Sequence, residues 1–239
     1  PQIDVYDNVL CQHRLLTENL DVTNIQLVAG WSMGAIQAFH WAVAFPDLVQ
    51  RILPWCGSAR CSPHNQVFLA GVEAALTADP VYAEGHYDVA PEVGLKAFGR
   101  VYCGWAYSQA FFRDALWRKL GFETLDDLLS FWEADHLDWD ANDLLAKLRS
   151  WYTADVGKWC QSGGGYEQAL SSIKAQAIVM PSRTDLYFPP EDSVVEVEYI
   201  PNAELRVIES AWGHCAGGPG REAGAMDQLH SAVKELLAH

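Results

Sequence analysis

Gly30-Trp31-Ser32-Met33-Gly34 is the stretch that most constrains how this chain can fold. A short apolar run, Ile25 to Ala29, precedes it and has the character of a buried strand. Ala35 to Phe45 follows, rich in alanine and aromatics and free of glycine and proline, and has the character of a helix. A strand that turns into a helix within so few residues crowds the two backbones together, so small residues are needed on both sides of the turn. The residue at the apex takes a strained conformation. Here it is Ser32. Its hydroxyl lies at a helix N-terminus, where the aligned peptide dipoles favour developing negative charge. The pattern predicts Ser32 as a nucleophile and the N–H of Met33 as one donor to an oxyanion.

A serine hydroxyl is a poor nucleophile at neutral pH and needs an imidazole base and a carboxylate to orient that base. The strand–turn–helix around Ser32 resembles the nucleophile elbow of α/β-hydrolases, in which acid and histidine follow the serine in that order. Ala177 to Pro181 has the pattern of a buried strand and runs into Ser182 to Pro190, where Asp185 is the candidate acid. Asp192 follows two prolines and suits a helix start. Leu205 to Ile208 is a further expected strand. It ends in a glycine-rich loop carrying His214, the candidate base. The other histidines (His13, His40, His64, His86, His136, His230 and His239) are expected at the surface or the core edge.

The likeness becomes specific along the chain. Ser-Met-Gly, Gln37-Ala38, Trp41-Ala42, Phe45-Pro46-Asp47, Asn65 and Ala78-Asp79-Pro80 are similar to the homoserine O-acetyltransferase family of the α/β-hydrolase superfamily. So are Asp185 to Pro190 and Ser210 to His214. The resemblance implies a triad of Ser32, Asp185 and His214, with an acyl-enzyme on Ser32 resolved by water or by an alcohol. There are departures. In the transferases an arginine eight residues after the asparagine binds the amino-acid carboxylate; here that position is Glu73. Cys215 stands where they have an aspartate after the histidine, and Ala35 where they have a glycine. A carboxylate at Glu73 would repel the homoserine carboxylate. The expectation is therefore a serine hydrolase cleaving a small, fairly apolar carboxylic ester. An acyl-CoA-dependent O-acyltransferase with another acceptor is the alternative, and a non-catalytic subunit retaining the triad is a third possibility. Trp31, Glu73, Trp212 and Cys215 are expected to line the substrate pocket. No cofactor or metal is required.

The expected fold class is α/β, an α/β-hydrolase fold with a mainly parallel sheet. Residues 1–59 and 173–239 are expected to form its core, and 60–172 a helical cap. Expected cap helices are Val67 to Thr77, Val93 to Tyr107, Gln109 to Leu120, Leu125 to Ala134 (capped by Thr124) and Ala141 to Thr153 (capped by Asp140). Ser162 to Gly165 is a possible hinge back to the sheet. An amphipathic helix from Ala223 to Leu237, with Leu229, Val233, Leu236 and Leu237 on its apolar face, closes the chain. About 24 residues precede Ile25 and suit one helix, Asn8 to Asn19, capped by Asp7. Earlier strands and the loop carrying a second oxyanion donor are not among them. That predicts an N-terminally incomplete chain whose open sheet edge needs a missing N-terminal segment or a second copy in a homo-oligomer.

Composition bounds the partners. Net charge is −15 over 239 residues, which disfavours nucleic acid and anionic membranes. No apolar run is long enough to span a bilayer. Six cysteines show neither C-x-x-C nor zinc-like spacing, so reduced thiols and a cytoplasmic setting are expected.

Overall fold

Four parallel strands lie side by side in the order β1 (Val28–Trp31), β2 (Arg51–Trp55), β3 (Gln176–Val179) and β4 (Ala203–Leu205). The computed structural model describes residues 2–160 and 163–238. β1 and β2 run in register from Val28 opposite Ile52 to Trp31 opposite Trp55. β2 is central and alternates its side chains between two apolar clusters. Leu53 joins the one that includes Ile178 and Met180, whereas Ile52 joins the one that includes Ala177 and Val179. This two-residue period is what a sheet covered on both faces demands.

The helix α1 (Val5–Arg14) and the helix α2 (Met33–Ala44) pack on the Ile52 face through Val9, Phe39, Trp41 and Val43. The opposite face receives the final helix, Ala223–Leu237, together with much of a long helical insertion. That insertion runs between β2 and β3 and holds α3 (Pro63–Thr77), α4 (Glu92–Ala106), α5 (Gln109–Arg113), α6 (Leu125–Leu137), α7 (Ala141–Tyr152) and α8 (Gly165–Ser171). After β3 come α9 (Pro190–Tyr199), β4 and the closing helix α10 (Ala223–Leu237).

Several expected elements need correction. The first helix is capped by Asp4, whose carboxylate accepts the Asp7 N–H at 3.0 Å while the Asp7 carboxylate accepts the Asp4 N–H at 2.9 Å. Asp7 is thus the third helical residue of a capping box, not the cap itself. The elbow strand begins at Val28, because Ile25 meets the sheet only through an isolated bridge to Val49. β4 lies earlier than the expected Leu205 to Ile208: it runs from Ala203 to Leu205, leaving Ile208 in a single bridge to Ser182. Gln109 to Leu120 is not one helix: Ala115, at φ 49°, interrupts it and a short 3-10 segment, Leu116–Leu120, follows. In α10 the buried residues are Ala225, Leu229, Ala232 and Leu236. Leu237 lies one residue, about 100°, further round the helix and is exposed. α6 extends past Ala134 to Leu137, which carries His136 into the helix. In the expected hinge, Gly163 and Gly165 have positive φ, while Ser162 lies outside the described residues.

No helix of the described chain is long and apolar enough to cross a membrane. Among the described residues Cys11, Cys56, Cys61, Cys103 and Cys215 are free thiols, and no group of His, Cys, Asp and Glu gathers as a metal site.

Candidate active site

Ser32 has φ 59° and ψ −120°, a conformation that a non-glycine residue adopts only when its surroundings enforce it. The enforcement is steric. A Cβ on Gly30 would lie 2.3 Å from the carbonyl carbon and oxygen of Gly34, so only glycine at position 30 lets α2 leave the strand end this closely. Ser32 N–H still bonds Trp55 O at 3.1 Å, which ties the apex of the turn to β2. Met33 is the first residue of α2, where N–H groups have no intrahelical acceptor.

Asp185 stands in the loop after β3, with its carboxylate buried. Its Oδ1 accepts the backbone N–H groups of Tyr187 (2.8 Å) and Phe188 (3.2 Å), leaving Oδ2 to meet Nδ1 of His214 at 2.8 Å. Two fixed donors on one oxygen thus orient the other. Asn65 steadies the same loop, donating from Nδ2 to Tyr187 O at 2.6 Å.

His214 lies in a short 3-10 segment, Gly213–Gly217, after the last strand. Trp31 stacks on its ring at 5.1 Å, and Tyr187 meets it edge-on at 4.9 Å. The backbone of this segment is held by two indoles that are opposite one another in the sheet. Trp31 Nε1 donates to His214 O at 3.3 Å, and Trp55 Nε1 donates to Gly217 O at 2.9 Å.

Ser32, Met33, His214, Trp31 and Cys215 share the wall of a cavity of about 300 Å³. Phe98, Tyr102, Trp132, Trp139, Leu144, Leu148 and Trp151 of the helical insertion form much of the rest. The lining is mainly apolar, with few polar groups, as small-molecule sites commonly are. Burial pushes the Cys215 thiol up to about 12, so it stays protonated beside the imidazole. A strained serine at a helix start, an imidazole on the same cavity wall and a buried carboxylate behind that imidazole are the parts needed for acyl transfer through a covalent intermediate.

Relatives carry the same architecture. The chain is 36% identical over 239 residues to an ethyl acetate hydrolase of Pseudomonas veronii, an alignment covering 99% of this chain and 68% of that protein. It superimposes on the acetyl esterase MekB with a TM-score of 0.96 at 35% identity, covering all of this chain and 69% of the other.

The chain belongs to the α/β-hydrolase superfamily.

Within that superfamily it is similar to esterases and to homoserine O-acetyltransferases alike. A probable esterase of Corynebacterium glutamicum is 36% identical over 217 residues, covering 90% of this chain and 62% of the relative. The homoserine O-acetyltransferase of Trichormus variabilis is 30% identical over 228 residues, covering 90% of this chain and 61% of the relative. This α/β-hydrolase chain therefore spans between 61% and 68% of the length of these curated relatives. No protein-family model matches it.

Two residues expected in the pocket of this α/β-hydrolase chain lie elsewhere. Glu73 is on the outer side of α3 and pairs with Arg149 of α7 at 3.0 Å. Its neighbours Val72 and Leu76 take the buried face of the helix, and Glu73 is not among the residues that line the cavity. Trp212 is buried, but its ring meets Phe111 of α5 edge-on at 5.4 Å, wedged between the histidine loop and the insertion. Conversely, His136 was expected at the surface or the core edge and lies on the cavity wall. With α6 continued by one turn, its spacing of four from Trp132 places both on one helix face.

Proposed function

We propose that this protein is a serine esterase that cleaves small, fairly apolar carboxylic esters through an acyl-enzyme on Ser32. In this reading the His214 imidazole takes the Ser32 proton, the Asp185 carboxylate holds the imidazole in the required tautomer, and the Met33 N–H stabilises the oxyanion. His214 then passes the proton to the leaving alkoxide, and water activated by the same imidazole releases the acid. The observation that carries the proposal is the 2.8 Å contact of Asp185 with His214 Nδ1, with His214 and the strained Ser32 on one cavity wall. An activity named in the relatives, hydrolysis of ethyl acetate or of acetyl esters, points to short acyl chains. The cavity volume accommodates such an ester. We further propose residues 60–172 as a cap that walls this cavity.

A fluorophosphonate probe tests the nucleophile: labelling is expected in the wild type and absent in Ser32→Ala. A folded wild type that takes no label would leave the non-catalytic reading standing. The likeness to homoserine O-acetyltransferases favours a second reading, acyl transfer from acyl-CoA to an alcohol. Incubation with an acetyl ester and a candidate alcohol separates the two, since the esterase releases free acid in excess over new ester.

A further inference from the structure

The cavity has an aromatic wall with one imidazole set in it, far along the chain from Ser32. His136, on α6, stacks against Trp132 at 5.8 Å and neighbours Phe98 at 5.5 Å and Tyr102 at 6.1 Å. A polar ring in such a setting is costly unless its nitrogens are satisfied. One of them is. His136 Nδ1 lies 2.8 Å from Trp132 O, one turn back on the same helix, and 3.5 Å from an Asp135 carboxylate oxygen. Both neighbours are acceptors, so the proton of the neutral ring belongs on Nδ1. Nε2 then carries a lone pair. No donor from the described residues meets it, and it is not among the fully buried polar atoms that lack a partner.

The arrangement depends on a close approach between helices. A Cβ on Gly99 of α4 would lie 2.6 Å from Trp132 O and 3.0 Å from His136 Nδ1. Glycine at this position is what allows α4 and α6 to close around that hydrogen bond. Burial also lowers the pKa of His136, which favours the neutral ring and hence the free acceptor.

We propose that His136 is a specificity-determining residue, whose Nε2 accepts a hydrogen bond from a hydroxyl on the substrate arm that fills the cavity. The preferred substrates are then short esters that are apolar except for one hydroxyl. This proposal rests on the esterase reading above and specifies its substrate class. With a purely alkyl ester, the Nε2 acceptor gains no partner from the substrate. Ester cleavage itself runs through Ser32 and is unaltered in its bond changes.

Two matched ester pairs, in which a terminal methyl is replaced by a hydroxyl of similar size, provide the test. One pair is 2-hydroxyethyl acetate and propyl acetate, which varies the alcohol side; the other is ethyl 3-hydroxypropanoate and ethyl butanoate, which varies the acyl side. In at least one pair the wild type is expected to favour the hydroxyl ester in kcat/KM by about tenfold, the value of one hydrogen bond to the substrate. In His136→Phe that ratio falls to about one, and His136→Gln, which keeps an acceptor, restores part of it. Fluorophosphonate titration of Ser32 counts the folded active sites in every variant. Hydrolysis of all four esters with neither pair showing a preference, or a preference that survives in His136→Phe, overturns this proposal alone. No hydrolysis of any of the four removes the esterase reading and the proposal with it.

Discussion

Trp31, immediately before Ser32, holds His214 in two ways: its ring stacks on the imidazole at 5.1 Å, and its indole N–H donates to the His214 carbonyl at 3.3 Å. The turn that strains Ser32 therefore also positions the imidazole proposed as its base. The register of β1 and β2 extends this grip, because Trp55 lies opposite Trp31 and donates to Gly217 O. One prediction follows from the hydrogen bond alone. Trp31→Phe keeps an aromatic surface but removes the donor, and kcat for acetyl ester hydrolysis is expected to fall about tenfold, the weight of one lost hydrogen bond in the transition state. Unchanged steady-state rates would show that stacking alone holds the base.

Asp185→Asn tests the orienting role. Asparagine can still accept the Tyr187 and Phe188 N–H groups through its oxygen, so the loop should keep its shape. Its NH2 group cannot accept the Nδ1 proton, and the imidazole is left in the wrong tautomer. The expected loss in kcat is about a thousandfold or more. Thermal melting should change little, and a large drop in melting temperature would assign Asp185 a mainly structural role.

Gly30→Ala probes the elbow. The added methyl would sit 2.3 Å from Gly34 backbone atoms, which no side-chain rearrangement can relieve. The expected destabilisation is about 3 kcal/mol, at the upper end of overpacking costs, together with loss of fluorophosphonate labelling. Urea unfolding measures the first quantity. A mutant as stable as the wild type would show that α2 can tilt away from β1 cheaply.

Glu196 of α9 gives a pH signature. Its side chain is buried; Oε1 accepts the Ala59 N–H at 2.6 Å and the Tyr166 hydroxyl at 2.9 Å, whereas Oε2 has no partner. Burial pushes this carboxyl up to about 8, with the nearby Asp192 adding to the shift and Arg60 opposing it. In the unfolded chain the group ionises near 4.5. Below that pH both states are protonated and the contribution is unaffected. As pH rises from there to about 8, only the unfolded state releases its proton, so the fold loses stability across this window. Glu196→Gln, which keeps the Oε1 acceptor, is expected to gain about 3 kcal/mol on the wild type between pH 5 and pH 8. Denaturant melts at both pH values check it, and parallel pH dependence of the two proteins would refute it.

The local features of this protein are legible from its residues in order. Gly30, Ser32 and Gly34 specify a turn because backbone crowding acts between immediate neighbours, and the unbroken apolar run from Ala177 to Pro181 specifies a strand covered on both faces. Helix starts with a capping side chain, such as Thr124 and Asp140, are equally local. The pairing of Asp185 with His214 could be anticipated because each falls in a loop after a strand, and parallel strands deliver such loops to one end of the sheet. The cavity wall is different. Whether Glu73, Trp212 or His136 faces the site depends on how helices rotate and pack against partners far away in the chain. Arg149 draws Glu73 outward, Phe111 takes the ring of Trp212, and the gap at Gly99 admits His136. Such contacts join residues whose sequence separation carries no periodic signal, so only the tertiary structure decides them.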